Sequence, residues 1–274
     1  MIKPDCNVSY FKRLFSLNSF KYLIPGILII ILGLAAIWSY LYLDQDVYSF
    51  LSKKPLNWHK NDYVRSFAYL GKAWLLIWLP LIWFIVTGRQ RAVLTVILAM
   101  ILVVLLVQPI KYCVRRTRPY EIYRAQQRGE QEHHIYSSLS FPSGDTASAF
   151  AVLSVVASFL TWPYIIPLSF VSILVGILRI TEMAHYPSDV FFGAAVGIIA
   201  GWFAMLIDKK WLPLVPPKFV LKRNMAVITI ILIPIILFFS EGIEKLLLFL
   251  KICIPLAGII LLYSKTVSLE TSEI

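Results

Sequence analysis

The run Ala92–Pro119, AVLTVILAMILVVLLVQPIKYCVRRTRP, decides how the rest of the chain is read. From Ala92 to Ile110 it carries no charge, and its length is close to the ~20 residues that a helix needs to cross the hydrocarbon core of a bilayer. It then places Lys111, Arg115, Arg116 and Arg118 within eight residues and stops at Pro119. An apolar run that ends in a cluster of cations reads as a helix leaving a membrane, since Lys and Arg at span ends reach to the lipid headgroups. On that reading Arg115 and Arg116 serve as surface anchors. Lys111 and Arg118 stand seven residues apart, two helical turns, and face the same way, with Pro119 ending the helix after Arg118.

The rest of the chain supports a membrane protein. Of 274 residues, 59% are hydrophobic and 15% charged, and eight are Trp, which is far from soluble usage. Leu23–Leu43 is uncharged throughout and Val190–Ile207 nearly matches it in length. Ala73–Thr87, Thr146–Trp162 and Tyr164–Leu178 are shorter and need flanking polar turns to complete a crossing. The expected fold is all-α and integral to the membrane: a bundle of six helices. Two further apolar runs, Met225–Ser240 and Leu246–Tyr263, are interrupted by Pro234, Lys251 and Pro255 and suggest an additional hairpin. The expected organisation is a cytoplasmic segment 1–21, a catalytic membrane core 22–210, a basic cytoplasmic loop 211–224, the hairpin 225–263 and a tail 264–274. The first span reads as a retained helix and not as a cleaved leader. Trp38, Tyr40, Tyr42, Trp162, Tyr164 and Trp211 lie near span ends, where amphipathic rings suit the interface.

The formal charge of +11 raises the question of nucleic acid, but the cations fall between spans and not on one soluble face, so anionic lipid is the expected partner. Cys6, Cys113 and Cys253 are odd in number and scattered, and imply neither a disulfide framework nor a zinc or redox pair. His133 and His134, near Glu130 and Glu132, lack the spacing of a defined metal site and read as a solvated loop. No metal or cofactor is expected. Glu121–His134 as a whole reads as a polar surface loop with possible helical turns.

Lys and Arg divide almost evenly between the two faces of the bundle. Setting aside Lys111, Arg115, Arg116, Arg118, Arg124, Arg128 and Arg179 as candidates for chemistry leaves the excess on the N-terminal side, which places the N-terminus in the cytoplasm. The loops Lys111–Asp145 and Arg179–Asp189 then emerge together on the outer face.

Two more stretches share that face. Phe141-Pro142-Ser143-Gly144-Asp145 precedes the run Thr146–Phe150. Pro142 stiffens the entry, Ser143 suits an N-cap, and Gly144 leaves backbone N–H groups accessible at a helix start, a place that attracts anions. Arg179-Ile-Thr-Glu182-Met-Ala-His185-Tyr-Pro187-Ser188-Asp189 puts His185 four residues before Asp189. A carboxylate on one ring nitrogen fixes the tautomer and leaves the other lone pair free to attack or to accept a proton. Glu182 reads as a partner for a nearby cation.

Taken in order, Lys111-x6-Arg118-Pro119, Pro142-Ser143-Gly144 and Arg179-x5-His185-x3-Asp189 resemble the three-part signature of the PAP2 family, the type 2 phosphatidic acid phosphatases related to vanadium haloperoxidases. The resemblance implies a metal-independent phosphatase that works through a phosphohistidine. His185 would be the nucleophile and Asp189 its orienting partner, with Lys111, Arg118, Ser143, Gly144 and Arg179 binding the phosphoryl oxygens. It also implies a phosphorylated lipid as substrate: lipid A, an isoprenyl diphosphate, phosphatidylglycerol phosphate or phosphatidate. The implied location is a bacterial inner membrane, with the site on its periplasmic or extracytoplasmic side.

This sequence departs from the family at Asp145, where the pattern has a His that protonates the leaving oxygen. Three readings follow: Asp145 is a tuned acid, His133 or His134 supplies the proton, or the chain is a weak or non-hydrolytic member. Two rival functions stand beside the phosphatase, a phosphotransferase that hands the group to a lipid hydroxyl and a non-catalytic lipid-binding or transport protein.

Overall fold

The computed structural model describes residues 17–53, 90–129, 139–159 and 162–211. The expected second span Ala73–Thr87, the pair His133 and His134, and the C-terminal hairpin lie outside the described residues. Within them every regular element is a helix: α1 Leu17–Tyr42, α2 Asp44–Ser52, α3 Gln90–Val114, α4 Pro119–Arg128, α5 Gly144–Ala157, α6 Trp162–Thr181 and α7 Pro187–Trp211. Among the described residues the protein is all-helical, and its long apolar helices are those of an integral membrane protein. Among the described residues α1, α3 and α7 are long and apolar enough to cross a bilayer, whereas the apolar parts of α5 and α6 are shorter.

Local chemistry sets the ends of these helices. α3 stops at Val114 because Arg115 takes a left-handed φ of 51°. The next residues run extended, with Thr117 paired to Leu139, and Pro119 then opens α4 at its first position, where a missing N–H costs nothing. Lys111 and Arg118 are therefore on two different elements. Pro119 starts a helix where the sequence spacing suggested that it ends one. The physical reason is the long-range Thr117–Leu139 pairing, which draws the chain out of helical phase. Gly129, at φ 67°, closes α4 by giving its N–H to the carbonyls of Ala125 and Gln126. Part of the stretch expected as a polar loop is thus a regular helix.

α7 is the central element: half of its membrane-length window is buried, against 11% for α1, and it packs on α1, α3 and α5. The core is built from small side chains, Val96, Ala99, Val103 and Val107 of α3, Ala147, Ala151 and Val155 of α5, and Val196, Ala200 and Ala204 of α7. The large ones point outward, among them Ile30, Leu34, Ile37 and Leu41 of α1, Ile101, Val104 and Leu105 of α3, and Phe170 and Ile177 of α6. In water this distribution would be costly. In lipid, tails are as apolar as Leu, so burial does not discriminate and close backbone packing selects small residues for the interior.

The closest approach lies between α5 and α7. A Cβ built on Gly197 would collide with the Ala147 carbonyl oxygen, and one on Gly193 would fall 2.6 Å from that of Ser143. Backbone atoms cannot yield as a flexible side chain can. Gly197→Ala is expected to force the helices apart and to cost about 1–3 kcal/mol, the range for overpacking a tight core. The check is a melting curve in detergent, and an unchanged midpoint would contradict the packing described.

At one end of the bundle Arg91, opening α3, donates from Nε to Asp208 Oδ1 of α7 at 2.7 Å and from Nη2 to the Asp208 carbonyl at 2.9 Å. The C-terminal ends of α3 and α6 and the N-terminal ends of α4, α5 and α7 meet at the other end. All three sequence clusters converge there.

Candidate active site

Backbone hydrogen bonds tie the clusters to one another. Ser140 N donates to the Arg116 carbonyl at 2.7 Å, Tyr120 N to that of Met183 at 2.9 Å, and Ser143 N to that of Asp189 at 3.0 Å. The Phe141 ring sits 4.8 Å, centroid to centroid, from that of Phe192 on α7. Loops that are separate in sequence thus form one platform.

Ser143 is the N-cap of α5, as its sequence position suggests. Its hydroxyl accepts from Thr146 N at 3.4 Å and lies 2.9 Å from Thr146 Oγ1, buried. The side chain is thus committed to the cap. The group at this helix start that suits an anion is the backbone N–H of Gly144, the first residue of α5.

His185 is 3% exposed and its ring faces Asp189. The distance from Nδ1 to Asp189 Oδ2 is 3.7 Å, too long for a hydrogen bond, and Ser140 stands between the two. Ser140 Oγ donates to Asp189 Oδ2 and lies 3.5 Å from His185 Nδ1. A hydroxyl that has given its proton to a carboxylate can only accept from the ring, which favours the Nδ1–H tautomer and leaves the Nε2 lone pair free. Burial pushes the pKa of His185 below its ordinary value; the neighbouring Asp189 pushes it up, and the cations Arg118 and Lys111 push it down again. The imidazole therefore stays neutral to lower pH than a solvated histidine.

The cations divide into two kinds. Lys111 gives Nζ–H to the Leu139 carbonyl at 2.8 Å and so holds the extended strand in front of Ser143. Arg179 is clasped by Asp145, Nη1 to Oδ2 at 3.1 Å, and by Glu182 from its own helix. Glu182 is thus the partner of a cation, as expected. Asp145 is one-third exposed and ion-paired. Among the described residues the buried Nε of Arg118 has no hydrogen-bond partner.

Three further residues complete the site. Ser140 is one. Arg116, expected at the lipid surface, turns inward, with Nη1 2.8 Å from Asp189 Oδ1 and Nη2 2.7 Å from Asp44 Oδ2. Asp44, at the junction of α1 and α2, is 1% exposed. The only sequence signal for it was an acid directly after an apolar span. Among the described residues no group of three His, Cys, Asp or Glu side chains has metal-binding geometry.

Fold and site together define a class, an all-helical membrane protein with a buried histidine among cations at one end of its bundle. Residues 92–213 match the family model of the PAP2 superfamily. Two solved structures are similar. Crystalline LpxE of Aquifex aeolicus is 29% identical, with 60% of this chain and 95% of that one covered and a TM-score of 0.46. The transmembrane PAP2-type phosphatidylglycerolphosphate phosphatase of Bacillus subtilis is 26% identical, with 70% and 98% covered and a TM-score of 0.47. No curated protein matches the chain.

Proposed function

We propose that the chain removes a phosphate from a lipid headgroup at the outer face of the membrane through a phosphohistidine on His185. The observation that carries this reading is a buried imidazole backed by Ser140 and Asp189 on its Nδ1 side, at the end of the bundle where the Lys111–Arg118 segment, the N-terminus of α5 and Arg179 converge. In the step proposed, the Nε2 lone pair forms the N–P bond and the P–O bond to the lipid breaks, its electron pair leaving on oxygen. Lys111, Arg118, Arg179 and the Gly144 amide hold the other phosphoryl oxygens, where charge spreads in the transition state. Asp189 and Ser140 keep the ring in place. Asp145 gives the leaving oxygen its proton once the substrate has taken its place on Arg179. Water then attacks phosphorus and gives a proton to the Asp145 carboxylate, the N–P electron pair returns to Nε2, and inorganic phosphate is freed. Substrates consistent with this chemistry are lipid A, an isoprenyl diphosphate, phosphatidylglycerol phosphate and phosphatidate.

The test is a panel of those lipids with purified protein and release of inorganic phosphate as the readout. Turnover of at least one lipid is expected. Silence across the panel sinks the proposal, and label transferred to an acceptor lipid replaces hydrolysis with phosphotransfer.

Sidedness has its own measurement. Cys113 is exposed on the last turn of α3, at the site end. In a Cys6→Ser/Cys253→Ser background, a membrane-impermeant maleimide is expected to label intact spheroplasts at Cys113. Labelling only after permeabilisation would place the site on the cytoplasmic face.

A further inference from the structure

Asp44 belongs to the α1–α2 junction, outside the region matched by the superfamily, yet it is bonded into the site from both oxygens. Oδ1 accepts from Ser39 Oγ and from Ser188 N, each at 3.0 Å. Oδ2 accepts from Ser188 Oγ at 2.5 Å and Arg116 Nη2 at 2.7 Å. It thereby caps the first turn of α7, where a carboxylate also suits the helix dipole. Arg116 spends the other side of its fork on Ser188 Oγ, 2.7 Å, and Asp189 Oδ1, 2.8 Å, with its plane 3.7 Å from the centre of the Tyr186 ring.

A buried ion pair is weak evidence for stability, since apolar residues of similar volume often serve as well. Here the partition of Asp189 argues for more. Its Oδ1 belongs to Arg116, while Oδ2 takes the Ser140 hydroxyl and Tyr186 N and faces His185. Arg116 thus fixes the plane of the carboxylate that orients the imidazole. Taken alone it would also cancel that carboxylate's charge. With Asp44 included, the three groups keep one net negative charge behind the ring.

We propose that Asp44 and Arg116 are positioning residues for His185, the outer half of a relay His185–Asp189–Arg116–Asp44 that holds negative charge behind the imidazole as it becomes cationic on accepting phosphorus. The inference rests on the phosphohistidine reading above. The other charges that face the ring are Lys111 from α3 and Arg118 at the start of α4. Asp145 of α5 and Arg179 of α6 are paired with each other.

The experiment compares wild type, Asp44→Asn, Arg116→Lys and His185→Ala in detergent, with p-nitrophenyl phosphate and dioctanoyl phosphatidate as substrates. Asp44→Asn is expected to lower kcat by about 10–100-fold, the usual cost of losing an outer partner of a reactive group, with KM little changed. It is also expected to move the acid limb of kcat/KM to lower pH, because less negative charge then disfavours the protonated ring. Arg116→Lys keeps the charge but loses the two-sided fork, and is expected to lower kcat without raising KM. It decides the matter should Asp44→Asn fail to accumulate as folded protein. Wild-type kcat and an unmoved acid limb in folded variants overturn the inference, as does a fall in kcat that merely tracks the folded fraction in a melt. A wild type silent on these substrates and across the lipid panel above, or a His185→Ala as active as wild type, overturns the underlying reading and this one with it.

Discussion

His185→Ala is expected to lower kcat by about ten-thousandfold or more, the scale seen when a covalent nucleophile is deleted, while the detergent melting curve stays near that of wild type. The contrast follows from what the ring touches. It lies outside the α5–α7 packing that holds the bundle together, which rests on Ala147, Ala151 and the glycines of α7. The lowered pKa of the ring adds a pH signature. Attack needs the neutral imidazole, so kcat/KM of wild type is expected to hold until the pH falls below the ordinary histidine value of about 6.5, and to drop only there. A profile whose acid limb sits above that value would contradict the buried, cation-facing environment. Wild-type turnover by the alanine variant would remove His185 from the chemistry altogether.

Asp145→Asn is expected to have the second largest effect, and its size should depend on the leaving group. If Asp145 protonates the departing oxygen, an alkyl phosphate such as a lipid ester suffers a loss of about 10²-fold or more, whereas an aryl phosphate, whose anion leaves unaided, is slowed far less. In the structure Asp145 is paired with Arg179, and it lies in the first turn of α5, where the helix dipole also favours the carboxylate. Proton donation therefore requires that the substrate first displace Asp145 from the guanidinium. Equal losses on the two substrates would mean that Asp145 only holds Arg179 in place.

The membrane character of the chain and the three clusters that meet in the site are visible in the sequence, because uncharged runs and motif spacings are local properties. The geometry inside the clusters is less so. Helical phase put Lys111 and Arg118 on one helix face, yet a left-handed Arg115 and the pairing of Thr117 with Leu139 break that phase. Nothing within Lys111–Pro119 announces a partner twenty residues away. Arg116 reads as an anchor by its place at a span end, and only the tertiary structure turns it toward Asp189. Asp44 sits in a run, Asp44-Gln45-Asp46, that looks like any polar exit from a membrane. Ser143, read as a phosphate ligand and a cap, is seen in the structure as a cap whose hydroxyl faces its own helix. A general acid at His133 or His134 falls outside the described residues.

The place where Asp44 enters α7 bears on what counts as the smallest working unit of this molecule. The stretch by which the chain is recognised, residues 92–213, contains His185, Asp189 and every cation around them, but not the carboxylate that accepts from the first turn of α7. Grafting that stretch behind a foreign anchor would transplant the chemistry without one of its walls. The leading helix is in this sense a component and not a tether, and domain boundaries drawn from similarity alone would cut through the site.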